Sequence, residues 1–400
     1  MTQPGALVLG ANYRALGIVR SLGRRGIRVA VVDEGEMLAA TSRYCRKRLR
    51  WPAVDEDART GFLLGLAADH GLEGWVVFPT TEENAAIVAR QHEVLRRRFR
   101  LTTSPWPIHR VAADKRAALD AAASIGLPIP RTHLPAGADR LDSLDLCFPV
   151  ILKAAQRLGS NPLADDKAWR VDGLLELQAR FVEAARHVPV DEIMIQELIP
   201  GDGEHQFSFA AVCRDGEVHG SVTARRLRQF PTDFGRASTF VESIEQTQVG
   251  ELSRRLLSTI GLDGMVEIEF KHDPRTGEFK LLDVNPRAWG WHSIGAPCGV
   301  DFSYLAYVLA LGADPPVTRA RPGVRWVRLS TDLTTSAREV MRGNLELRPY
   351  LRSLRPPLEG PLAALDDPLP ALLELPLIVR LLAQRAQPHR RVPVPARRDP

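Results

Sequence analysis

Residues 264–287, GMVEIEFKHDPRTGEFKLLDVNPR, constrain this chain more than any other stretch. Two alternating runs, Val266 to Phe270 and Phe279 to Val284, flank Asp273, Pro274 and Gly277, which supply turn chemistry, so the segment reads as a β-hairpin. Successive side chains on a strand point to opposite faces. Val266, Ile268, Phe270, Leu282 and Val284 are therefore expected to face a core, with Glu267, Glu269, Asp283 and Asn285 on the other face. A turn centred near Thr276 places Glu269 opposite Asp283 and Glu267 opposite Asn285. Like charges set opposite each other destabilise by about 0.2–1 kcal/mol, so the arrangement calls for a cation or solvent. Two carboxylates and an amide, with positions left for water and phosphate, suit Mg²⁺ held together with a nucleotide. The plainer reading of the pattern alone is a hairpin with one solvated acidic face.

The hairpin resembles the metal-binding core of the ATP-grasp superfamily, in which an acid or amide on one strand and an acid-x-Asn pair followed by Pro-Arg on the next hold magnesium. Glu269, Asp283 and Asn285 match that pattern, and Arg287 follows as the residue that would reach the transferred phosphate. Three further stretches match in the family's order. Lys115, in AADKRAALDAAASIGLPIPRT, and Lys153, in FPVILKAAQ, fit its two phosphate-binding basic positions. In MIQELIPGDGEHQFS, Glu197 with the backbone around Leu198 and Ile199 would meet the adenine edge, and Glu204 would take the ribose hydroxyls. Taken singly, each lysine is an ordinary helix or strand residue and each acid an ordinary loop acid; order and spacing carry the resemblance. A lysine near phosphates makes physical sense as a compact point charge.

The resemblance spans roughly residues 1–310 and implies an α/β and α+β fold. A Rossmann-like pre-ATP-grasp domain (1–110) would precede a two-subdomain ATP-grasp domain (111–315), whose lid would occupy about 132–190. The family often folds a glycine-rich loop over the phosphates, but here AAQRLGSNPLADDKAWRV offers only Gly159. Lys167, or the corner of Gly159, Ser160 and Asn161, is the expected replacement.

Read from its own residues, the N-terminal stretch GALVLGANYRALGIVRSLGRRGIRVAVVD is strand, glycine turn, amphipathic helix and strand. WVVFPTTEENAAIVAR repeats the scheme, with Thr80 or Thr81 as helix cap. Asp33 at the end of the second strand invites a dinucleotide reading, but the turn lacks a full Gly-x-Gly-x-x-Gly, and a structural role for Asp33 is preferred. In VTARRLRQFPTDFGRASTFVE, strand alternation puts Arg226 and Arg228 on one face and Arg225 on the other, with Arg226 as a clamp for a carboxylate or acyl phosphate. Trp289 to Ser293 reads as a loop lining the same cleft, with His292 positioning rather than acting as a base.

Four hundred residues, 44% of them apolar, exceed one core, and a cleft between subdomains is the natural ligand site. The net charge of +5 is concentrated at the end, where Arg385, Arg390, Arg391, Arg397 and Arg398 stand against Asp399. Basic and aromatic residues are not interleaved, so no nucleic-acid partner is expected. Cys45, Cys147, Cys213 and Cys298 lack metal-type spacing and fit reduced thiols in a cytoplasmic protein. No secretory signal is apparent, and the longest uncharged apolar stretch, Phe302 to Ala313, cannot span a bilayer. Residues 316–385 read as a helical extension and 386–400 as a disordered basic tail. Ala371 to Gln384 is expected to dock on the body, with peripheral membrane contact as the alternative. Homo-oligomers are compatible with all of this.

The resemblance to carboxylate-amine ligases and to carbamoyl-phosphate-synthase large-chain-like proteins implies an ADP-forming ligase. ATP and Mg²⁺, or Mn²⁺ in its place, would serve it, and a carboxylate would join an amine through an acyl phosphate with Lys153, Arg226 and Arg287 stabilising the transfer. Three alternatives stand beside it: a bicarbonate-using carboxylase or carbamoyl-phosphate-type enzyme, an NAD(P)-dependent oxidoreductase, and a non-catalytic ATP-binding protein.

Overall fold

The computed structural model describes residues 3–374 apart from 34, 36, 52–54, 156–162, 164–166, 231–234 and 236. The corner at Gly159, Ser160 and Asn161, most of the apolar stretch ending at Gln384, and the basic tail lie outside the described residues.

Apolar runs without alternation, ALVL, VAVVD and VVFP, are what strands buried on both faces require. They form β1 (Ala6–Leu9), β2 (Val29–Asp33) and β4 (Val76–Pro79), which with β3 (Cys45–Arg50) and β5 (Arg100–Leu101) make an all-parallel sheet in the order β3-β2-β1-β4-β5. The chain leaves β1 toward one edge and returns to β4 on the other side. The carboxyl ends of β1 and β4 therefore flank a crevice, the usual binding position in such sheets. Into it open two helix N-termini. Asn12 caps helix Tyr13–Arg24 by accepting from Arg14 N at 2.9 Å and Ala15 N at 3.2 Å, and Thr81 caps helix Glu82–Arg90 by accepting from Asn84 N at 3.2 Å. Asp33 is fully buried, with its oxygens taken by Arg48 Nε at 2.8 Å and Gly35 N at 2.7 Å. It acts as a structural anchor, which removes the ribose contact the dinucleotide reading needed.

An antiparallel sheet follows, β6-β9-β7-β8, built from β6 (Thr132–His133), β7 (Val150–Ala154), β8 (Trp169–Val171) and β9 (Ile193–Glu197). The largest sheet runs β14-β13-β10-β11-β12-β16-β17, with β15 paired to β11. Its strands are β10 (Gln206–Arg214), β11 (Glu217–Phe230), β12 (Ala237–Ile244), β13 (Gly264–Asp273), β14 (Glu278–Asn285), β15 (Thr318–Arg319), β16 (Arg325–Val327) and β17 (Leu358–Glu359). Residues beyond 315 thus contribute strands as well as the helices Leu329–Met341 and Leu347–Ser353. Arg20 ties this end back to the first helix through Asp367 Oδ2 at 2.9 Å and the carbonyls of Pro361 and Leu362. At the described end, Glu374 accepts from Ser330 Oγ at 2.9 Å and Arg328 at 3.1 Å.

β13 and β14 pair in the expected register, Glu267 with Asn285 and Glu269 with Asp283. A bulge follows, because Phe270 pairs with Leu281 rather than Leu282. The extra residue swings Leu281 into the core and leaves Leu282 half-buried, which corrects the strict alternation expected for that face. The turn closes through Gly277 N to Asp273 O at 2.7 Å.

Gly264 opens the hairpin with φ +92° and bridges to Thr103, so that a Cβ there would lie 1.9 Å from Thr102 O. This contact fixes the hairpin against the parallel sheet. Gly264→Ala is expected to lower stability by about 2–5 kcal/mol, combining backbone strain with overpacking. Chemical denaturation measures it, and a loss below about 0.5 kcal/mol would show that the contact is slack.

Candidate functional site

Four oxygen-bearing side chains, Glu267, Glu269, Asp283 and Asn285, share one face of the hairpin, as its period of two dictates. Asn285 Nδ2 lies 3.3 Å from Glu269 Oε1 and 3.5 Å from Glu267 Oε2, so the amide sits between two nearly buried carboxylates. Glu267 also accepts from Trp291 Nε1 at 2.7 Å. Burial first, and then the neighbouring Glu269, push its carboxyl well above the usual range. Burial would raise Glu269 too, but Lys167 and Arg226 outweigh it and hold that group low. Asp283 lies 3.8 Å from Lys115.

Among the described residues no three His, Cys, Asp or Glu side chains form a ready-made metal cluster. Mg²⁺ does not require one, because it usually binds one or two carboxylates and keeps water and phosphate as its other ligands. An all-oxygen donor set, with the Glu269 carboxylate held ionised by neighbouring Lys167 and Arg226, fits a hard divalent cation. Glu269, Asp283 and Asn285 are the side chains able to hold it.

Near these acids are three lysines, from a helix, a strand and a connecting segment. Lys115 begins helix Lys115–Ser124, capped by Asp114. Lys153 is the penultimate residue of β7 and buried, with no hydrogen bond or ion pair to a described residue. Burial, and next the Lys115 charge, lower its pKa to about 7, while Asp283 opposes the shift. Lys167, at φ +68°, reaches Gly235 O at 3.3 Å and stands 3.7 Å from Glu269 Oε2. The sequence had offered Lys167 as one of two grips, and the structure brings it to the cleft.

The arginines divide. Arg226 is buried, 3.3 Å from Glu269 Oε2 and 3.3 Å from Gln229 Oε1. Arg228 does not share its face, contrary to the alternation expected. Bulges on β11 around Arg228 pair Arg226 with Val241 and Arg228 with Phe240, adjacent residues pointing to opposite sides. Arg228 instead forks onto Asp332 with two bonds of 2.9 Å and serves the structure. Arg287 lines the cleft, donating to Glu82 Oε1 at 2.7 Å and Asn285 Oδ1 at 3.1 Å.

Sequence reasoning missed the opposite wall, made by Tyr13, Arg14 and Glu82. The signal was available: these residues directly follow β1 and β4, the two strand ends that flank the crevice. His292, buried and with its pKa lowered to about 4 by that burial, donates from Nε2 to Arg14 O at 2.9 Å and positions this wall.

Glu197, Leu198, Ile199 and Glu204 do not line the cleft. Glu197 pairs with Val150, three residues along β7 from Lys153 and so about 10 Å away. Its carboxylate accepts from Lys280 Nζ at 2.7 Å, Arg131 N at 3.0 Å and Arg275 at 2.9 Å, which commits it to a largely buried cluster with Asp273. Glu204 is exposed on the turn Gly203–His205.

Residues 190–331, which include this hairpin, match the family described as "ATP-grasp in the biosynthetic pathway with Ter operon". A carbamoyl phosphate synthase large chain of Thermus thermophilus is 22% identical over 317 residues, covering 75% of this chain but 30% of its own length. The chain therefore spans less than a third of that relative. An L-amino acid ligase from Bacillus licheniformis superposes with a TM-score of 0.60 at 19% identity, covering 78% of this chain and 75% of that one. The biotin carboxylase domain of Hydrogenobacter thermophilus 2-oxoglutarate carboxylase, solved with MgADP, ADP and bicarbonate, gives 0.64 at 16% identity over 81% and 74%. Likeness at this level establishes the fold, and the match to an ATP-grasp family model covers residues 190–331.

Proposed function

We propose, from the ATP-grasp fold of this chain and the cleft it builds, an ATP-dependent, ADP-forming ligase that joins a carboxylate to an amine through an acyl phosphate. One observation carries the reading: Lys115 and Lys167 line the cleft, with Lys153 buried beside them, opposite a carboxylate-amide set on one hairpin, the complement of a triphosphate and its divalent cation.

In this reading residues 1–110 form a Rossmann-like domain, 111–315 the ATP-grasp region with its lid at about 132–190, and 316–385 an extension. The phosphates lie at Lys115, Lys153 and Lys167, and the base and ribose extend beyond the cleft, toward the backbone at Glu197, Leu198 and Ile199 and toward Glu204. Bound Mg²⁺ at Glu269, Asp283 and Asn285 would neutralise phosphate charge; Mn²⁺ would have the same ligands. The chain's residues otherwise position and neutralise, as phosphoryl transfer requires, and no side-chain nucleophile is needed. Arg287, beside Asn285, is aimed at the transferred phosphoryl group, with Arg226 behind Glu269 on the same side.

Lys153 gives a testable consequence. A triphosphate restores the ammonium form that burial suppresses, so nucleotide binding at pH 8 takes up protons, and affinity falls as pH rises above about 7. Calorimetry in two buffers of different ionisation enthalpy measures the uptake. Lys153→Met should abolish it, and parent protein binding nucleotide at pH 8 without uptake would contradict the assignment.

The reading as a whole is tested by ADP release from Mg·ATP against a panel of carboxylates, with hydroxylamine as a general nucleophile that traps acyl phosphates. Release with bicarbonate alone would instead select the carboxylase or carbamoyl-phosphate branch, which the Thermus and Hydrogenobacter relatives favour. Nucleotide binding without ADP release under any condition would leave a non-catalytic binder.

A further inference from the structure

The cleft has two electrostatic poles. At one end Lys115 and Lys167 stand 3.8 Å from Asp283 and 3.7 Å from Glu269, and at the other Arg14 and Arg287 line the cleft with Tyr13 and Glu82. Lysines, as compact point charges, suit phosphates at the first pole; planar guanidinium forks suit a carboxylate at the second.

Most cations of the cleft are already compensated. Lys115 has Asp283 at 3.8 Å, Lys167 has Glu269 at 3.7 Å, Arg226 has Glu269 at 3.3 Å and Arg287 has Glu82 at 2.7 Å. Arg14 differs. It lines the cleft, yet its side chain makes no ion pair or hydrogen bond with a described residue, and its Nε is sealed from solvent without a partner. Arg226 Nε is likewise unpartnered, but the other two nitrogens of that group are engaged. Half-buried, with only the Tyr13 ring 5.6 Å from its Cζ, this guanidinium has no anion paired with it among the described residues to compensate it, and an arriving carboxylate would supply one.

The backbone that presents Arg14 is rigid. Asn12 caps its helix, its carbonyl accepts from His292 Nε2 at 2.9 Å, and the imidazole packs so close to Gly17 that a Cβ there would lie 2.7 Å from the ring. These contacts fix the Arg14 backbone at the start of the helix that opens on the crevice, from which its guanidinium lines the cleft.

We propose that Arg14 binds a carboxylate of the acceptor that is not the one phosphorylated, which makes the acceptor a small dicarboxylate, with or without an amino group. The reacting carboxylate then lies toward Arg287 and the hairpin, and the second one is anchored on the wall formed after β1. This rests on the ligase reading above, which it narrows by substrate class.

The experiment compares the parent with Arg14→Met and Arg14→Lys in ADP release with saturating Mg·ATP and hydroxylamine. The panel runs from two- to six-carbon dicarboxylates through aspartate and glutamate, with acetate and butyrate as single-carboxylate controls. The expected result is a preference for one dicarboxylate in the parent and a KM for it raised about 10- to 100-fold in Arg14→Met, with Arg14→Lys intermediate. Affinity for a non-hydrolysable ATP analogue should stay within threefold, and thermal melting checks that both variants fold. An unchanged KM, a preference for single carboxylates, or a parallel loss of nucleotide affinity would overturn the proposal. If the parent releases no ADP at all, the ligase reading falls separately. Calorimetric binding of the same dicarboxylates to nucleotide-loaded protein then decides for Arg14: binding lost in Arg14→Met supports it, and binding equal in both, or absent from the parent, overturns it.

Discussion

Replacing Glu269 with glutamine is expected to lower ADP release by about 10³-fold or more, equivalent to about 4 kcal/mol of transition-state stabilisation. Glu269 accepts from Gln206 Nε2 at 3.0 Å and Asn285 Nδ2 at 3.3 Å, with Arg226 at 3.3 Å and Lys167 at 3.7 Å. It is the point where the hairpin's acids meet the cleft's cations. Glutamine keeps the shape but removes the charge on which a divalent cation depends. The same change strands buried Arg226 without its anion, which destabilises by about 3–5 kcal/mol. Melting curves must therefore accompany the rates. Asp283→Asn separates the two effects, because Asp283 is only partly buried and its ion pair with Lys115 is long, at 3.8 Å. That variant should melt near the parent and still lose Mg²⁺-dependent turnover. A well-folded Asp283→Asn protein with parental turnover would remove this carboxylate from the metal set.

Arg287→Lys is expected to lower kcat by about 10²–10³-fold while leaving nucleotide affinity nearly unchanged. Arg287 follows Asn285 and Pro286, so the end of β14 fixes its Cα, and its Nη2 bonds both Asn285 Oδ1 at 3.1 Å and Glu82 Oε1 at 2.7 Å. A guanidinium can hold these two oxygens and still offer donors to a phosphoryl group; an ammonium keeps the charge and loses the fork. Equal losses in kcat and kcat/KM would mark an interaction made only in the transition state. A rise in KM alone would mean that Arg287 binds the acceptor in its ground state.

The hairpin was legible because strand alternation and turn chemistry are local rules. The register at Glu267–Asn285 and Glu269–Asp283 follows from them directly. Local rules fail at bulges, where one inserted residue inverts every face beyond it. Leu281 replaced Leu282 in the core, and Arg226 parted from Arg228, for this one reason. Lys115, Lys153 and Lys167 are 38 and 14 residues apart in sequence, and their meeting depends on how helix Lys115–Ser124 packs against β14 and on the bond from Lys115 N to Ala155 O at 3.3 Å, just past β7. Family order pointed to the first two, and spacing alone could not have done so. Arg14 and Glu82 were hidden for a related reason. Each looks like an ordinary helix-start residue until the strand order β2-β1-β4 shows that both helices open on one crevice. The long-range partners of Glu197, Lys280 and Arg275, were likewise invisible as a cluster in the sequence.

The most direct measurement is a crystal structure with Mg²⁺ and a non-hydrolysable ATP analogue. The predicted result is a metal about 2.1 Å from oxygens of Glu269, Asp283 or Asn285, with the triphosphate against Lys115, Lys153 and Lys167. Nucleotide bound elsewhere, with those side chains facing solvent, would contradict it.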